Sequence, residues 1–148
     1  MSTPLPPRLT RDIGVAERTL RAILNHHITA AGLTFTEWVD LTLLTSEGPQ
    51  TDDELVATQV AGQVGPADEI REGLDRLLVN GLVARDDAGQ LTVTTAGHDV
   101  FGPLREQVGA VSARVNGGLP ADDVEAALRI LDEVIARAAK IVAELEAA

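Results

Sequence analysis

The chain has 148 residues, 45% of them hydrophobic, which suits one domain or a compact module with an oligomerisation element. Its lack of cysteine excludes disulfides, thiolate nucleophiles and cysteine-bound zinc, and its net charge of −11 disfavours nucleic acid unless a basic patch overrides it. No apolar run could span a bilayer, and Met1–Pro7 lacks the basic and apolar regions of a leader. We therefore expect a cytoplasmic protein without membrane association.

The first two predicted helices occupy the N-terminal third of the chain. Apolar residues recur at steps of four and three from Leu9 to about Thr29, which places them on one helix face. A break at Ala31–Leu33 follows. Thr34 or Thr36 can then cap a second helix, which runs from Phe35 to about Thr45.

The third and fourth predicted helices are short and follow each other closely in the chain. Thr51 and Glu54 have the spacing of a capping box, and the third helix that they begin ends near Gly62. The fourth helix begins near Pro66, since proline suits a first helical turn. Apolar positions expected to face the core are Leu55, Val56 and Val60 on the third helix, and Ile70, Leu74, Leu77 and Leu78 on the fourth.

A β-hairpin is predicted after the fourth helix. Gly81–Val83 begins its first strand, a polar turn covers residues 86–90, and the alternating run Leu91–Thr94 forms the second strand. Helix, strand, turn and strand in this order are typical of a winged helix.

Two further helices are predicted to complete the chain. One follows Ala96–Gly97 and ends at Asn116–Gly118, and the other starts at Pro120–Asp123. Stripes on the second to fourth helices can form an ordinary intramolecular core. The long stripes at the two ends of the chain need a partner, so we predict a homodimer. The seam of the last helix consists of Val124, Leu128, Leu131, Ile135, Ala138, Val142 and Leu145.

Several short stretches resemble the MarR family of winged-helix regulators in their order and spacing. They are Gly32-Leu33-Thr34 with Glu37-Trp38 and Leu41, Leu74-Asp75-Arg76-Leu77 with Gly81-Leu82-Val83, Leu91 to Gly97, Leu119-Pro120, and Leu128 to Leu131. The resemblance covers nearly the whole chain and implies a mainly α fold with a small β-hairpin wing. Residues 33–97 would form a winged helix-turn-helix lobe, and residues 1–30 and 98–148 a helical dimerisation body. It also implies a triangular homodimer with a small-molecule pocket between body and lobe.

The chain departs from the family in the parts that read DNA. The family's usual Ser/Thr and Arg contacts align with Asp68–Glu72, and the wing lacks the family's Asp-x-Arg pattern. Residues 50–97 carry nine acids and three arginines, a local charge of −6. DNA binding is therefore predicted to be weak or altered. The candidate DNA contacts are Arg71, Arg76, Arg85 and Gln90, opposed by Asp68, Glu69, Glu72 and Asp75.

Three histidines are the residues best suited to acid–base chemistry near neutral pH. They are His26, His27 and His98, the weak candidates for catalysis. The family resemblance places ligand-binding residues at His26, His27, Trp38 and Phe101, for a small apolar or aromatic molecule. Because His27 continues an apolar stripe, a packed core histidine is the alternative. Adjacent histidines on a helix diverge by about 100°, so His26 and His27 cannot easily bind the same ion, and no metal site is predicted. The sequence also has no phosphate-binding loop and no nucleophile elbow, and no cofactor is predicted.

Two functions fit these observations. The first is a homodimeric, small-molecule-responsive transcription regulator whose binding to double-stranded DNA is weak or altered. The alternative is a MarR-fold protein that no longer binds DNA. It would act as a small-molecule-binding protein, as an enzyme through the pocket, or as a partner-binding antirepressor. The sequence leaves open whether the chain is an enzyme.

Overall fold

The computed structural model describes residues 8–148 and is mainly helical, with one two-stranded antiparallel sheet. The predicted fold class is confirmed, and each predicted helix and strand is present. The elements in chain order are α1 (Arg8–Ala30), α2 (Phe35–Glu47), α3 (Asp52–Ala61), α4 (Ala67–Val79), β1 (Val83–Arg85), β2 (Leu91–Val93), α5 (Thr95–Asn116) and α6 (Ala121–Glu146).

The chain divides into two compact units, Met1–Gly109 and Ala110–Ala148. The first unit contains α1 to α4, the β-hairpin and most of α5, and the second contains the end of α5 and all of α6. None of the six described helices combines the length and apolar composition needed to cross a lipid bilayer.

Polar side chains fix the starts of α2 and α3. Thr34 caps α2, because its Oγ1 accepts a hydrogen bond from the backbone N–H of Glu37 at 3.4 Å. Thr51 and Glu54 form the predicted reciprocal capping box on α3, with both hydrogen bonds at 3.2 Å. Pro66 occupies the N-cap position of α4. These caps set where the three helices around the candidate site begin.

The core of the first unit is formed by α2, α3, α4 and the hairpin, and α1 and α5 contribute Ile28, Phe101 and Leu104 to it. The predicted stripe of α4 is confirmed, with Leu78 half-buried beside its fully buried members. On α3 the prediction for Val60 is wrong: its side chain is 41% exposed, and Gln59 is buried instead. Gln59 lies one turn from Leu55 and hydrogen-bonds to α2, which turns Val60 outward. The buried hydrophobic residues are Ile28, Leu33, Leu41, Leu44, Leu55, Val56, Ile70, Leu74, Leu77, Val83, Leu91, Phe101 and Leu104.

The wing is short and is joined directly to α5. β1 and β2 pair in the register Val83 to Val93, and Gln50 forms an additional bridge with Leu91. At the first turn of α5, a Cβ on Gly97 would lie 2.1 Å from the carbonyl oxygen of Leu82. Only glycine fits at that position, so this close approach holds the base of the wing against α5.

Candidate nucleic-acid interface and ligand-binding residues

The outward face of α4 is acidic. Burial of the α4 stripe fixes the rotation of the helix, and Gly73 brings it close to α2: a Cβ there would lie 2.8 Å from Oγ1 of Thr36. The acidic residues that consequently face solvent, called here the acidic face, are Asp68, Glu69, Glu72 and Asp75; Arg71 and Arg76 of the same helix are exposed as well. This is the surface that would approach a duplex in a winged-helix protein.

Two arginines of the winged-helix region are paired with carboxylates at the start of α3. Nη2 of Arg71 lies 2.9 Å from Oδ1 of Asp53. Both terminal nitrogens of Arg85 bond to the carboxylate of Asp52, with Nη2 at 2.9 Å from Oδ2. Arg85 also lowers the pKa of Asp52, chiefly through these hydrogen bonds. The N-terminus of α3 thus holds one cation from α4 and one from the wing.

The third arginine of this region is paired with α2. Nε of Arg76 lies 3.0 Å from Oε1 of Glu37, whose side chain is 3% exposed. Thr34 donates a second hydrogen bond to the same oxygen at 2.9 Å. Gln90 is half-buried at the end of the wing turn, where its backbone N–H donates to Oδ1 of Asp86. Each arginine predicted to contact DNA therefore already binds a carboxylate of its own unit.

The pairs differ in how strongly they hold their arginines. Arg71 and Asp53 are 52% and 85% exposed, and an ion pair in water at that exposure adds little stability. Arg76 is bound to a buried carboxylate, so releasing it would leave a buried charge without a partner. The Arg71 pair is consequently the easiest of the three to open.

Sequence reasoning did not find a buried polar cluster on α2 and α3. Glu37, Asp40 and Gln59 are 2%, 0% and 1% exposed. Burial raises the pKa of Asp40 to about 8. The hydrogen bond from Gln59 lowers this pKa, and the nearby carboxylates of Glu37 and Asp52 raise it further. The available signal was positional: Glu37 and Asp40 precede Leu41 and Leu44 at helical spacing, so they share the buried face of α2.

The four residues predicted to bind a ligand form two pairs of touching rings. The ring centroids of Trp38 and Phe101 are 5.1 Å apart, with Phe101 in the core and Trp38 half-buried. His26 and His27 make an edge contact at 5.5 Å, with His26 exposed and His27 half-buried. His98 is exposed in the first turn of α5. Among residues 8–148, no three His, Asp or Glu side chains are grouped so that they could hold a metal ion.

The arrangement of α3, α4 and the β1–β2 hairpin defines a winged-helix protein. No family model matches the sequence, and no curated protein matches it either. Solved structures share the fold along most of the chain. One is a MarR family transcriptional regulator from Silicibacter pomeroyi, with 23% identity, coverage of 84% of this chain and 86% of that chain, and a TM-score of 0.68.

Two further structures agree with this assignment. The reduced form of MarR from E. coli has 22% identity and a TM-score of 0.66, over 89% of this chain and 95% of that chain. A MarR family protein from Mycobacterium tuberculosis, solved in complex with DNA, has 24% identity and a TM-score of 0.64, over 90% and 98%. Within the winged-helix class, the chain therefore has the fold of MarR-family transcriptional regulators.

Proposed function

We propose that the chain is a homodimeric, small-molecule-responsive transcription regulator whose binding to double-stranded DNA is weak. The pairing of Arg71, Arg76 and Arg85 with carboxylates of their own unit carries this proposal. By analogy with the shared fold, residues 33–97 form the winged-helix lobe and residues 1–30 and 98–148 the helical dimerisation body.

Electrostatics supports weak binding to DNA. Cations that neutralise phosphates and release their counterions supply most non-specific affinity. Here each lobe arginine must leave a carboxylate before it can neutralise a phosphate, and the acidic face adds repulsion. A unit charge about 4 Å from a phosphate contributes roughly 1 kcal/mol in bulk water. Several acids facing a duplex therefore offset the phosphate contacts that the arginines could make.

Exposed apolar residues on α6 support the homodimer. On the predicted seam, Leu128, Ile135 and Leu145 are 55%, 64% and 70% exposed. Ile130 and Ile141 lie beside the seam and are also more than half exposed. At about 100° per residue, these positions span an arc of roughly 160° on the helix. An arc this wide needs more than one neighbouring helix to cover it, as in a helical dimer body.

The contact between the rings of Trp38 and Phe101 supports the proposal that the chain binds a small molecule. Trp38 packs against Phe101 and remains half-buried, so an apolar ring is accessible beside a rigid core. His26 and His27 offer polar groups on α1. Apolar walls with few polar groups are the usual composition of a small-molecule site.

The same ion pairs favour a second candidate function. A MarR-fold protein that has lost DNA binding would keep the ligand site and act as a small-molecule-binding protein, as an enzyme through a pocket histidine, or as a partner-binding antirepressor. The DNA titration below separates this candidate from the regulator, because the regulator retains weak binding and the second candidate has none.

A DNA titration tests the proposed function. We expect fluorescence anisotropy with DNA from upstream of the chain's own gene to show weak binding that falls steeply with salt. Specific regulators bind at about 10⁻⁸ M or tighter at physiological salt, and here we expect a Kd above about 10⁻⁶ M. A scrambled duplex of equal length is the control. Nanomolar, sequence-selective binding at physiological salt would contradict the proposal.

A thermal-shift screen tests the ligand site. We expect a small aromatic or apolar metabolite to raise the melting temperature and to change the fluorescence of Trp38, the chain's single tryptophan. His26→Ala, His27→Ala and Trp38→Ala should each reduce the ligand-induced shift, whereas Asn25→Ala, an exposed neighbour on α1, should not. Equal shifts in all variants would show that these residues do not bind the ligand. Turnover of a ligand that is lost with one histidine would support the enzyme alternative.

A further inference from the structure

Asp40 on α2 and Gln59 on α3 form a buried polar pair. Their residues are 0% and 1% exposed, and Nε2 of Gln59 donates a hydrogen bond to Oδ1 of Asp40. The same Nε2 lies 3.5 Å from the backbone carbonyl oxygen of Thr36, to which it donates its second hydrogen. Because a carbonyl can only accept, this contact fixes which end of the amide is nitrogen.

Two oxygen atoms of this pair have no partner. Oδ2 of Asp40 and Oε1 of Gln59 are buried and find no hydrogen bond among residues 8–148. If Asp40 were ionised, both oxygens would be acceptors facing no donor, and a charged carboxylate would be buried with a single neutral partner. Such an arrangement is strongly unfavourable in a protein interior. A neutral carboxylic acid supplies the missing donor, because it carries one O–H group.

We infer that Asp40 is held as the neutral acid and donates its O–H to Oε1 of Gln59. Two hydrogen bonds between Asp40 and Gln59 then join α2 to α3, an arrangement called here the latch. One proton then satisfies both partnerless oxygens. The hydrogen bond from Nε2 runs in the opposite direction and completes a ring between the acid and the amide. This inference does not depend on DNA or ligand binding, since it concerns only the packing of the helices.

The charges around Asp40 favour the neutral form. Glu37 on the same helix and Asp52 on α3 both act to raise its pKa, in addition to burial, and the resulting pKa is about 8. The nearby cations are already engaged: Arg76 of α4 binds Glu37, and Arg85 of β1 binds Asp52. Among residues 8–148, no cation is a cause of the shift in the pKa of Asp40, and this includes Arg18, His26 and His27 of α1. Arg21 of α1 binds Glu17 and stacks on Phe35, and the β2 residues Leu91–Val93 do not titrate.

The latch makes the packing of α2 against α3 sensitive to pH. Between pH 4 and pH 8 the folded chain holds the Asp40 proton and the unfolded chain has released it. Raising the pH through this interval therefore favours the unfolded state, and the stabilisation present at acidic pH is lost as the pKa of the folded state is approached. Above that pKa the ring opens and a buried charge remains between α2 and α3. Mild alkalinity would thus loosen the helix pair that positions α4.

Two measurements on the full chain test the latch. The first is an NMR titration that follows the ¹³C chemical shift of the Asp40 carboxyl group as the pH is raised. We expect the midpoint of this titration near pH 8. The second compares the unfolding constant of the parent with that of Asp40→Asn at fixed protein concentration. The Asn amide can close the same ring without a titratable proton. The folded parent binds one proton more than the unfolded parent in this range, and the variant does not. The unfolding constant of the parent divided by that of Asp40→Asn should therefore rise about tenfold per pH unit between about pH 5 and pH 7.5.

The control for charge removal is Asp75→Asn, an exposed site on α4, whose pH profile should parallel that of the parent. A carboxyl midpoint near 4 would overturn the inference. It would also be overturned if Asp40→Asn kept the pH dependence of the parent or failed to fold at neutral pH, because the amide preserves both hydrogen bonds. These results are independent of the proposed function, which the DNA and ligand experiments test separately.

Discussion

Replacing Leu131 and Ile135 together with aspartate is expected to abolish the dimer and to leave a monomeric or unfolded chain. These neighbouring seam positions of α6 are 37% and 64% exposed in a single chain. A dimer would enclose both. Each substitution would then bury a charge without a partner, at a cost of about 3 kcal/mol or more per site. Sedimentation equilibrium at micromolar concentration should show the parent as a dimer and the variant as a monomer or as unfolded chain.

A matched control separates loss of the seam from added charge. Ala136→Asp with Ala143→Asp introduces the same two charges on α6 at exposed positions about 100° or more from the centre of the seam. We expect this variant to remain dimeric. The dimer proposal fails if the parent sediments as a monomer at micromolar concentration, or if both double variants dissociate equally.

Local sequence patterns were sufficient for the helices, the hairpin and the caps. The capping box at Thr51 and the stripe of Ile70, Leu74 and Leu77 depend on residues at most seven positions apart, so helical spacing alone reveals them. The outward direction of the acidic face then followed from the stripe. Val60 was the exception, because its direction depends on the contact between Gln59 and α2, which no local pattern records.

The ion pairs could not be predicted from the sequence. Arg71 is 18 residues from Asp53, Arg85 is 33 from Asp52, and Arg76 is 39 from Glu37. The sequence gives the net charge of this region, but only the packing of α2, α3, α4 and β1 determines which arginines are bound. The burial of Asp40 can be read from its helical spacing to Leu44, but its partner Gln59 lies on another helix, so the pair itself could not be predicted.

Asp52 connects the arginine pairs with the buried latch. It binds Arg85 directly and also raises the pKa of Asp40. Neutralising Asp52 should therefore free the wing arginine and lower the pKa of Asp40, which shifts the loosening of the helix pair to lower pH. DNA titrations on variants of this residue consequently belong near pH 6, where Asp40 stays protonated and only the arginine is affected.

Asp52→Asn combined with Asp53→Asn is expected to strengthen DNA binding. The double substitution removes the carboxylates that hold Arg85 and Arg71, so both guanidinium groups can turn towards phosphates. At about 1 kcal/mol for each close charge pair in water, two freed cations predict a gain in affinity of about tenfold to thirtyfold. Two more neutralised phosphates should also steepen the slope of log K against log salt by about 1.8. Anisotropy titrations at several salt concentrations measure both quantities.

Asp122→Asn with Asp123→Asn provides the control, because it removes the same net charge at the start of α6 without releasing an arginine of the lobe. Circular dichroism should confirm that α3 remains folded, since Asp52 and Asp53 occupy its first turn and favour its N-terminus. If the two double variants bind DNA equally, net charge alone limits the affinity. If Asp52→Asn with Asp53→Asn binds no better than the parent, the acidic face of α4 prevents DNA binding even when the arginines are free, which favours the DNA-independent alternative.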